Sequence, residues 1–244
     1  MERVDGYCTV GREGEEEPSP ESLLEQMDRT GVARAVIAPS EACFAWANEA
    51  GNELLLSAAR RQPDRFIPAV TVNPWRPDAV ALAAEYLRRG GAILAFHPGV
   101  QGFAPSEGRA DAILEALLAR NLKPPVYFHT GHHSHGAPAQ VLLLARRFPQ
   151  LVIIMGHTGA TDYGDDAVRV CRQASNVYVE SSFARSSAFV ARAAQIGFDR
   201  AIMGSGFPCN DLAFEWAEME RLLPARHRAA VLGGNLMRLL ESGT

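Results

Sequence analysis

The sequence predicts an α/β protein folded as a single-domain (β/α)8 TIM barrel over residues 1–244. Short apolar runs rich in β-branched residues alternate with longer stretches of helical periodicity, and eight of each can be counted. Alternation of this kind is typical of a parallel sheet with helices packed outside it. The length of 244 residues also matches one such barrel.

The elements follow in a regular order along the chain. The predicted strands cover residues 3–10, 33–38, 66–72, 92–97, 125–129, 151–157, 177–181 and 200–204. The predicted helices cover residues 21–29, 43–61, 77–89, 108–120, 137–148, 165–174, 186–196 and 211–223, with an extra C-terminal helix over 225–240. Pro20 suits a first helical turn, and Gly31 suits a left-handed residue after a helix end, so the first helix is well delimited.

The amino-acid composition argues against nucleic-acid and membrane partners. With 47% apolar residues, 21% charged residues and a net charge of −4, the chain lacks the basic character of a nucleic-acid-binding protein. No apolar run approaches the ~20 residues that span a bilayer, and the four cysteines form no CxxC pair. We expect a cytoplasmic protein with a small-molecule substrate and no nucleic-acid or membrane partner. A homodimer is the commonest assembly, and the sequence leaves the oligomeric state open.

Histidines stand at the ends of three consecutive predicted strands. His97, His129 and His157 end strands four, five and six. The active site of a (β/α)8 barrel lies at the C-terminal ends of its strands, so we expect the three rings to converge at one mouth. Imidazole serves equally as a metal ligand and as a general acid or base, and the sequence does not choose between these roles.

Other polar residues are expected at the same mouth. Tyr7 on strand one and Ser205 after strand eight are catalytic candidates, as hydrogen-bond donors beside the three histidines. Arg185, just after strand seven, is placed to meet a substrate carboxylate. The candidates for substrate binding are Thr9, Asn73, His132, His133 and Arg185.

Four segments carry a family resemblance. They are residues 125–131 (PVYFHTG), 148–159 (FPQLVIIMGHTG), 200–208 (RAIMGSGFP) and 231–240 (VLGGNLMRLL). In this order and spacing they resemble the amidohydrolase-related group of the amidohydrolase superfamily, which includes zinc-dependent decarboxylases similar to aminocarboxymuconate-semialdehyde decarboxylase. The resemblance covers nearly the whole chain and implies a barrel enzyme that hydrolyses or decarboxylates a small molecule.

The resemblance also implies a mononuclear metal site that this chain largely lacks. The family pattern has a His-x-His pair on strand one, a histidine on strand five, an aspartate on strand eight, and a strand-six histidine beside the metal-bound water. His129 and His157 match the strand-five and strand-six positions, whereas Tyr7, Thr9 and Gly206 stand at the other three. Neither threonine nor glycine provides a good zinc ligand. We therefore expect no metal cofactor.

Three hypotheses on function remain at this point. The first is a metal-independent enzyme that acts on a small polar or carboxylated molecule by hydrolysis, decarboxylation, or proton-transfer cyclisation or dehydration. The second is a rewired zinc enzyme whose metal is held by His97, His129 and His157. The third is a barrel without catalysis that serves as a binding or assembly module.

Overall fold

A ring of eight parallel strands forms the centre of the molecule. The computed structural model describes residues 2–11, 18–131, 135–160 and 162–242. The strands are β1 (Val4–Val10), β2 (Arg34–Pro39), β3 (Phe66–Thr71), β4 (Ile93–Phe96), β5 (Val126–His129), β6 (Ile153–Gly156), β7 (Val177–Glu180) and β8 (Ala201–Ile202). Each strand pairs in parallel with the next along the chain. The predicted barrel and its strand order are confirmed.

The ring closes between its first and last strands. The Gly6 N–H donates to Met203 O at 2.7 Å, and the Thr9 N–H donates to Phe207 O, also at 2.7 Å. An isolated parallel bridge joins Cys8 to Phe207. Closure satisfies backbone groups that an open sheet edge would expose.

The strand sequences explain two separate apolar layers. Residues that point into the barrel are small or branched, for example Val36, Ile67 and Ala95, and they form one cluster. Residues that point outward, such as Ile37 and Leu94, pack beneath the helices in a larger cluster. Because side chains alternate along a strand, a fully buried strand needs apolar residues on both faces.

Twelve α-helices, some of them only one turn long, are seen in the described part of the chain. They are α1 (Pro20–Thr30), α2 (Glu41–Ala45), α3 (Asn48–Arg61), α4 (Ala79–Arg88), α5 (Pro98–Gln101), α6 (Asp111–Ala119), α7 (Pro138–Arg147), α8 (Gly164–Gln173), α9 (Ser186–Ile196), α10 (Leu212–Leu222), α11 (Ala225–Ala229) and α12 (Asn235–Ser242). Helix α1 begins at Pro20 and ends before Gly31, whose φ of 69° is left-handed, as the sequence predicted.

Two predicted helices are interrupted. The prediction of one helix over 43–61 is wrong, because the Asn48 side chain donates to the carbonyls of Cys43 and Phe44 at 2.6 and 3.0 Å and ends α2 there. The C-terminal helix over 225–240 is broken at a wide turn that contains Gly233. A Cβ at Gly233 would lie 2.6 Å from the carbonyl oxygen of Glu2, so β1 approaches the backbone closely at this point.

Strand β8 is shorter than predicted. The expected strand over 200–204 ends at Ile202, because the Gly204 N–H donates to the Ser181 side-chain hydroxyl at 2.9 Å instead of extending the strand pairing. Among the described residues, no helix combines the length and the apolar character that crossing a membrane requires.

Candidate active site

A cavity of about 280 Å³ lies at the C-terminal ends of the strands. It is lined by Tyr7, Thr9, Pro39, Glu41, Phe44, His97, His129, Thr130, Gly131, His157, Ala160, Phe183 and Cys209. The structure thus brings together five residues singled out in the sequence: Tyr7, Thr9, His97, His129 and His157. The volume lies just below the usual range for small-molecule pockets, roughly 300–1,000 Å³.

Five side chains form a continuous chain of hydrogen bonds that runs inward from this cavity. The Tyr7 hydroxyl lies 3.0 Å from His129 Nε2, and His129 Nδ1 lies 2.8 Å from His157 Nε2. His157 Nδ1 is 2.8 Å from Ser182 Oγ, which in turn donates to Glu180 Oε2 at 2.7 Å. We call Tyr7, His129, His157, Ser182 and Glu180 the relay.

The direction of these hydrogen bonds follows from one carbonyl group. His157 Nδ1 also lies 3.1 Å from the backbone oxygen of Ser182, which can only accept, so Nδ1 carries a proton. In a neutral ring His157 Nε2 is then the acceptor, and it receives the proton of His129 Nδ1. His129 Nε2 in turn accepts from the Tyr7 hydroxyl. Every donor in the relay therefore points from the cavity toward Glu180.

Glu180 ends the relay in a fully buried position. Its carboxylate accepts hydrogen bonds from the Tyr127 hydroxyl at 2.7 Å and from the backbone N–H groups of Ser182 and His157 at 2.5 and 3.3 Å. These donors favour the ionised form, but burial away from water outweighs them and raises the pKa of Glu180 to about 7. The carboxyl group can therefore take up or release a proton near neutral pH.

The backbone that positions His157 is strained. His157, Thr158 and Ala160 have φ angles of 62°, 48° and 49°, in the left-handed region that side chains disfavour. Side chains hold this turn in place, because the Thr158 hydroxyl donates to Glu180 O at 2.7 Å and Thr130 Oγ1 accepts from the Gly159 N–H at 2.9 Å. Strain that is held in this way is concentrated at functional sites.

His97 lies beside the relay. Its ring stacks on that of His129 with 4.1 Å between centroids and 23° between planes. His97 Nδ1 accepts the Val100 N–H at 3.3 Å, so the neutral ring carries its proton on Nε2, which lies 3.8 Å from the Glu41 carboxylate. His97 therefore presents a hydrogen-bond donor at the cavity wall.

Three other candidates do not line the cavity. Ser205 is fully buried because its N–H donates to the carboxylate of Asp5 at 2.9 Å, which holds it below the mouth. The Asn73 side chain joins the loop after β3 to the end of α2 by donating to Ala45 O. Arg185 is exposed at the start of α9. His132 and His133 lie outside the described residues.

The cavity also contains residues to which the sequence analysis gave no role. Glu41 and Phe44 come from α2, a helix that was predicted to begin two residues later. Phe183 follows β7 with a φ of 58° and lies with its ring 4.8 Å from that of His157. Glu180 and Ser182 stand in a short polar run, Glu180-Ser181-Ser182, at the end of β7, and this run is their only sequence signal; nothing in the sequence indicated Phe183.

The metal site that the resemblance implies does not fit these residues. Both ring nitrogens of His129 are engaged within the relay, and His97 Nε2 carries a proton. Gly206 has a φ of 76°, and a Cβ added to it would lie 3.1 Å from Asn210 Nδ2 and 3.2 Å from the Cβ of Ser182, so an aspartate would be crowded. Across residues 2–11, 18–131, 135–160 and 162–242, no group of three or more His, Cys, Asp or Glu side chains could hold a metal ion.

The fold and the site together define a (β/α)8 barrel with ionisable side chains gathered at the C-terminal ends of its strands, which is the arrangement of barrel enzymes. A family model described as amidohydrolase matches residues 12–241. The chain belongs to this family, which confirms the resemblance found in the sequence. A search of curated proteins found no match.

Solved structures share the fold over the full chain. An uncharacterised TIM-barrel protein from Bordetella bronchiseptica has a TM-score of 0.81 at 18% identity, with 100% of this chain and 99% of that chain covered. A 5-carboxyvanillate decarboxylase from Novosphingobium aromaticivorans, complexed with manganese and a nitrobenzoic acid, has a TM-score of 0.79 at 18% identity, covering 99% and 96%. A probable 2-pyrone-4,6-dicarboxylic acid hydrolase from Acinetobacter baumannii has a TM-score of 0.72 at 13% identity, covering 99% and 100%.

Proposed function

We propose that the protein is an enzyme that transfers protons to and from a small, single-ring carboxylated substrate without a bound metal. The observation that carries this proposal is the relay, which connects the cavity to a buried carboxyl group of suitable pKa. The structural similarity to a 5-carboxyvanillate decarboxylase and to a probable 2-pyrone-4,6-dicarboxylic acid hydrolase supports a carboxylated ring as substrate. The cavity volume supports a single ring.

The relay would first act as a base. When Glu180 is ionised, the Tyr7 oxygen can receive a proton from the substrate while its own proton moves to His129. His129 then passes its Nδ1 proton to His157, whose Nδ1 proton moves through Ser182 to the carboxylate. The net change is one proton lost by the substrate and one gained by Glu180. A pKa of about 7 keeps this step close to balanced at neutral pH.

The same relay would then act as an acid. With Glu180 protonated, the reverse sequence of transfers delivers a proton from Tyr7 to the substrate. In the decarboxylation of a phenolic acid the relay would take the phenol proton and return it to the ring carbon that loses CO₂, and the phenolate left behind would take a proton from water. In the hydrolysis of a ring ester the relay would take a proton from the attacking water and return it to the leaving oxygen. Thr9 and the Nε2–H of His97 would donate hydrogen bonds to a substrate oxygen at the cavity wall.

The proposal is tested by substituting one tyrosine that lines the cavity and one that does not. Wild type, Tyr7→Phe and Tyr178→Phe are incubated with 5-carboxyvanillate and with 2-pyrone-4,6-dicarboxylate, and products are followed by mass spectrometry. Tyr178 lies on β7 and does not line the cavity. We expect Tyr7→Phe to lower kcat by about 100-fold or more, in the range of general acid–base catalysis, and Tyr178→Phe to leave it unchanged.

Two results would contradict the proposal. Full activity of Tyr7→Phe would show that the relay does not reach the substrate. Absence of turnover of both carboxylated rings would remove the support for the substrate class and favour a barrel that only binds ligands.

A further inference from the structure

A second cavity, of about 570 Å³, opens at the opposite end of the barrel. It lies where β2 to β5 begin, and residues of α12 form one of its walls. Apolar side chains make up much of its lining, including Phe66, Leu87, Met237 and Leu240. We call this cavity the basal groove. It is separate from the relay, and the inference drawn from it does not depend on the proposed function.

Cationic residues surround this apolar lining. Arg34, Arg60, Arg89 and Lys123 all line the basal groove, whereas no acidic residue does within the described part of the chain. Arg89 forms ion pairs with Glu53 of α3 and Glu85 of α4. Arg34, Arg60 and Lys123 form no ion pair with a described carboxylate, although the protein as a whole carries a net charge of −4. Positive charge is therefore concentrated at this groove.

Arg34 has an unmet hydrogen bond at this position. Its Nε is buried and has no partner among the described residues. One of its terminal nitrogens reaches only the sulfur of Met237 at 3.5 Å, and a thioether is a weak acceptor. Because the Arg34 guanidinium has no strong acceptor in the described part of the chain, an anionic oxygen from a ligand in the basal groove would improve its hydrogen bonding.

We propose that the basal groove binds an amphipathic anion, with a carboxylate or phosphate head at Arg34 and an aliphatic or aromatic body along the apolar wall. The guanidinium group matches the paired oxygens of both heads. Arg60 and Lys123 would attract the anion electrostatically at the entrance of the groove. Met237 and Leu240 would bury the apolar part of the ligand away from water.

Isothermal titration calorimetry with four probes tests this assignment. Octanoate and octyl phosphate carry the two heads on the same chain, octanol carries the chain without charge, and inorganic phosphate carries the charge without the chain. We expect both amphipathic anions to bind at least about tenfold more tightly than octanol and phosphate. The tighter of the two anions identifies the head group. Equal binding of octanol, or no binding of either anion, would overturn the proposal.

Substitutions locate the binding. Arg34→Met should weaken octanoate binding about tenfold or more, while Arg172→Met, an exposed arginine on α8 at the other side of the barrel, should leave it unchanged. Lys123→Met changes an exposed residue and serves if Arg34→Met does not fold. It should weaken binding about threefold, since an exposed, solvent-screened charge contributes little to binding. Unchanged binding in both Arg34→Met and Lys123→Met would place the ligand elsewhere and overturn the assignment.

Discussion

The two halves of the barrel mouth differ in what they keep of the family's pattern. The side formed by β5 to β7 retains His129 and His157 and adds the buried Glu180, on a strained backbone. The side formed by β1 and β8 carries Tyr7 and Gly206 at positions where the resemblance implies metal ligands. The two sides are nevertheless joined, because the Tyr7 hydroxyl bonds to His129 Nε2 at 3.0 Å.

This contrast is what the proposed metal-free relay requires of the mouth. Random loss of ligands would leave a buried imidazole nitrogen without a partner, which costs about 1–3 kcal/mol. Here the substituted residue supplies the partner, and the hydrogen bonds run without a gap from Tyr7 to Glu180.

The largest effect is expected at His129. His129→Gln removes the ring that links Tyr7 to His157, and an amide cannot carry protons between them. We expect kcat to fall by about 10²–10⁴-fold with little change in KM. His97→Gln is the matched control, since His97 stacks on His129 but lies outside the relay. It should raise KM more than it lowers kcat, and equal losses of kcat in the two variants would contradict the relay.

A smaller effect on stability is expected from Glu180. Burial raises its pKa from 4.5 to about 7, so the folded state holds this proton more tightly than the unfolded state. The resulting stabilisation is fully present below pH about 4.5 and is lost as the pH rises through about 7. Between about pH 5 and pH 8 the free energy of unfolding of wild type should therefore fall by roughly 2 to 3 kcal/mol relative to Glu180→Gln.

Urea denaturation of both proteins at the two pH values measures this difference. Groups other than Glu180 titrate in both proteins, so their contributions largely cancel in the comparison. A difference that is independent of pH would show that Glu180 does not titrate in this range.

The smallest effect is expected on the replaced side, at Gly206. Gly206→Ala introduces a side chain at a φ of 76° with neighbours at 3.1 to 3.3 Å. Gly102 is the matched control, because it has a φ of 67° and nothing within 4 Å of an added Cβ. Gly102→Ala should lower the free energy of unfolding by about 1 kcal/mol, and Gly206→Ala by about 1 kcal/mol more, measured by denaturation.

Gly206→Asp sharpens the same comparison. It should destabilise the protein at least as much as Gly206→Ala and should not create a metal site, because His129 remains bonded to Tyr7. Stoichiometric manganese binding by Gly206→Asp at unchanged stability would show that the two sides of the mouth are not coupled.

Much of the barrel and part of the site could be predicted from the sequence. Eight apolar runs at regular spacing determine eight strands, and a parallel barrel brings all strand ends to one mouth. The convergence of His97, His129 and His157 follows from this geometry alone, since each is the last residue of a strand or the first after it. The order of the strands is therefore enough to predict that these three residues meet at the mouth, without knowledge of any contact between side chains.

The features of the site that the sequence did not predict depend on contacts between residues of different elements. Ser205 is held below the mouth by Asp5, some 200 positions away along the chain. Glu41 and Phe44 lie on a separate short helix, α2, whose end is capped by the Asn48 side chain, and this capping is invisible in a helical periodicity. The direction of the relay rests on a single carbonyl oxygen, that of Ser182. None of these relations appears in local sequence patterns.

The central claim, that the relay works without a metal, is tested most directly by metal depletion. Wild-type protein is dialysed against a chelator, its metal content is determined by mass spectrometry, and turnover of the carboxylated substrate is measured before and after manganese or zinc is added. Our account predicts substoichiometric metal and an unchanged rate throughout. Loss of activity on chelation, with recovery when manganese or zinc is restored, would contradict it.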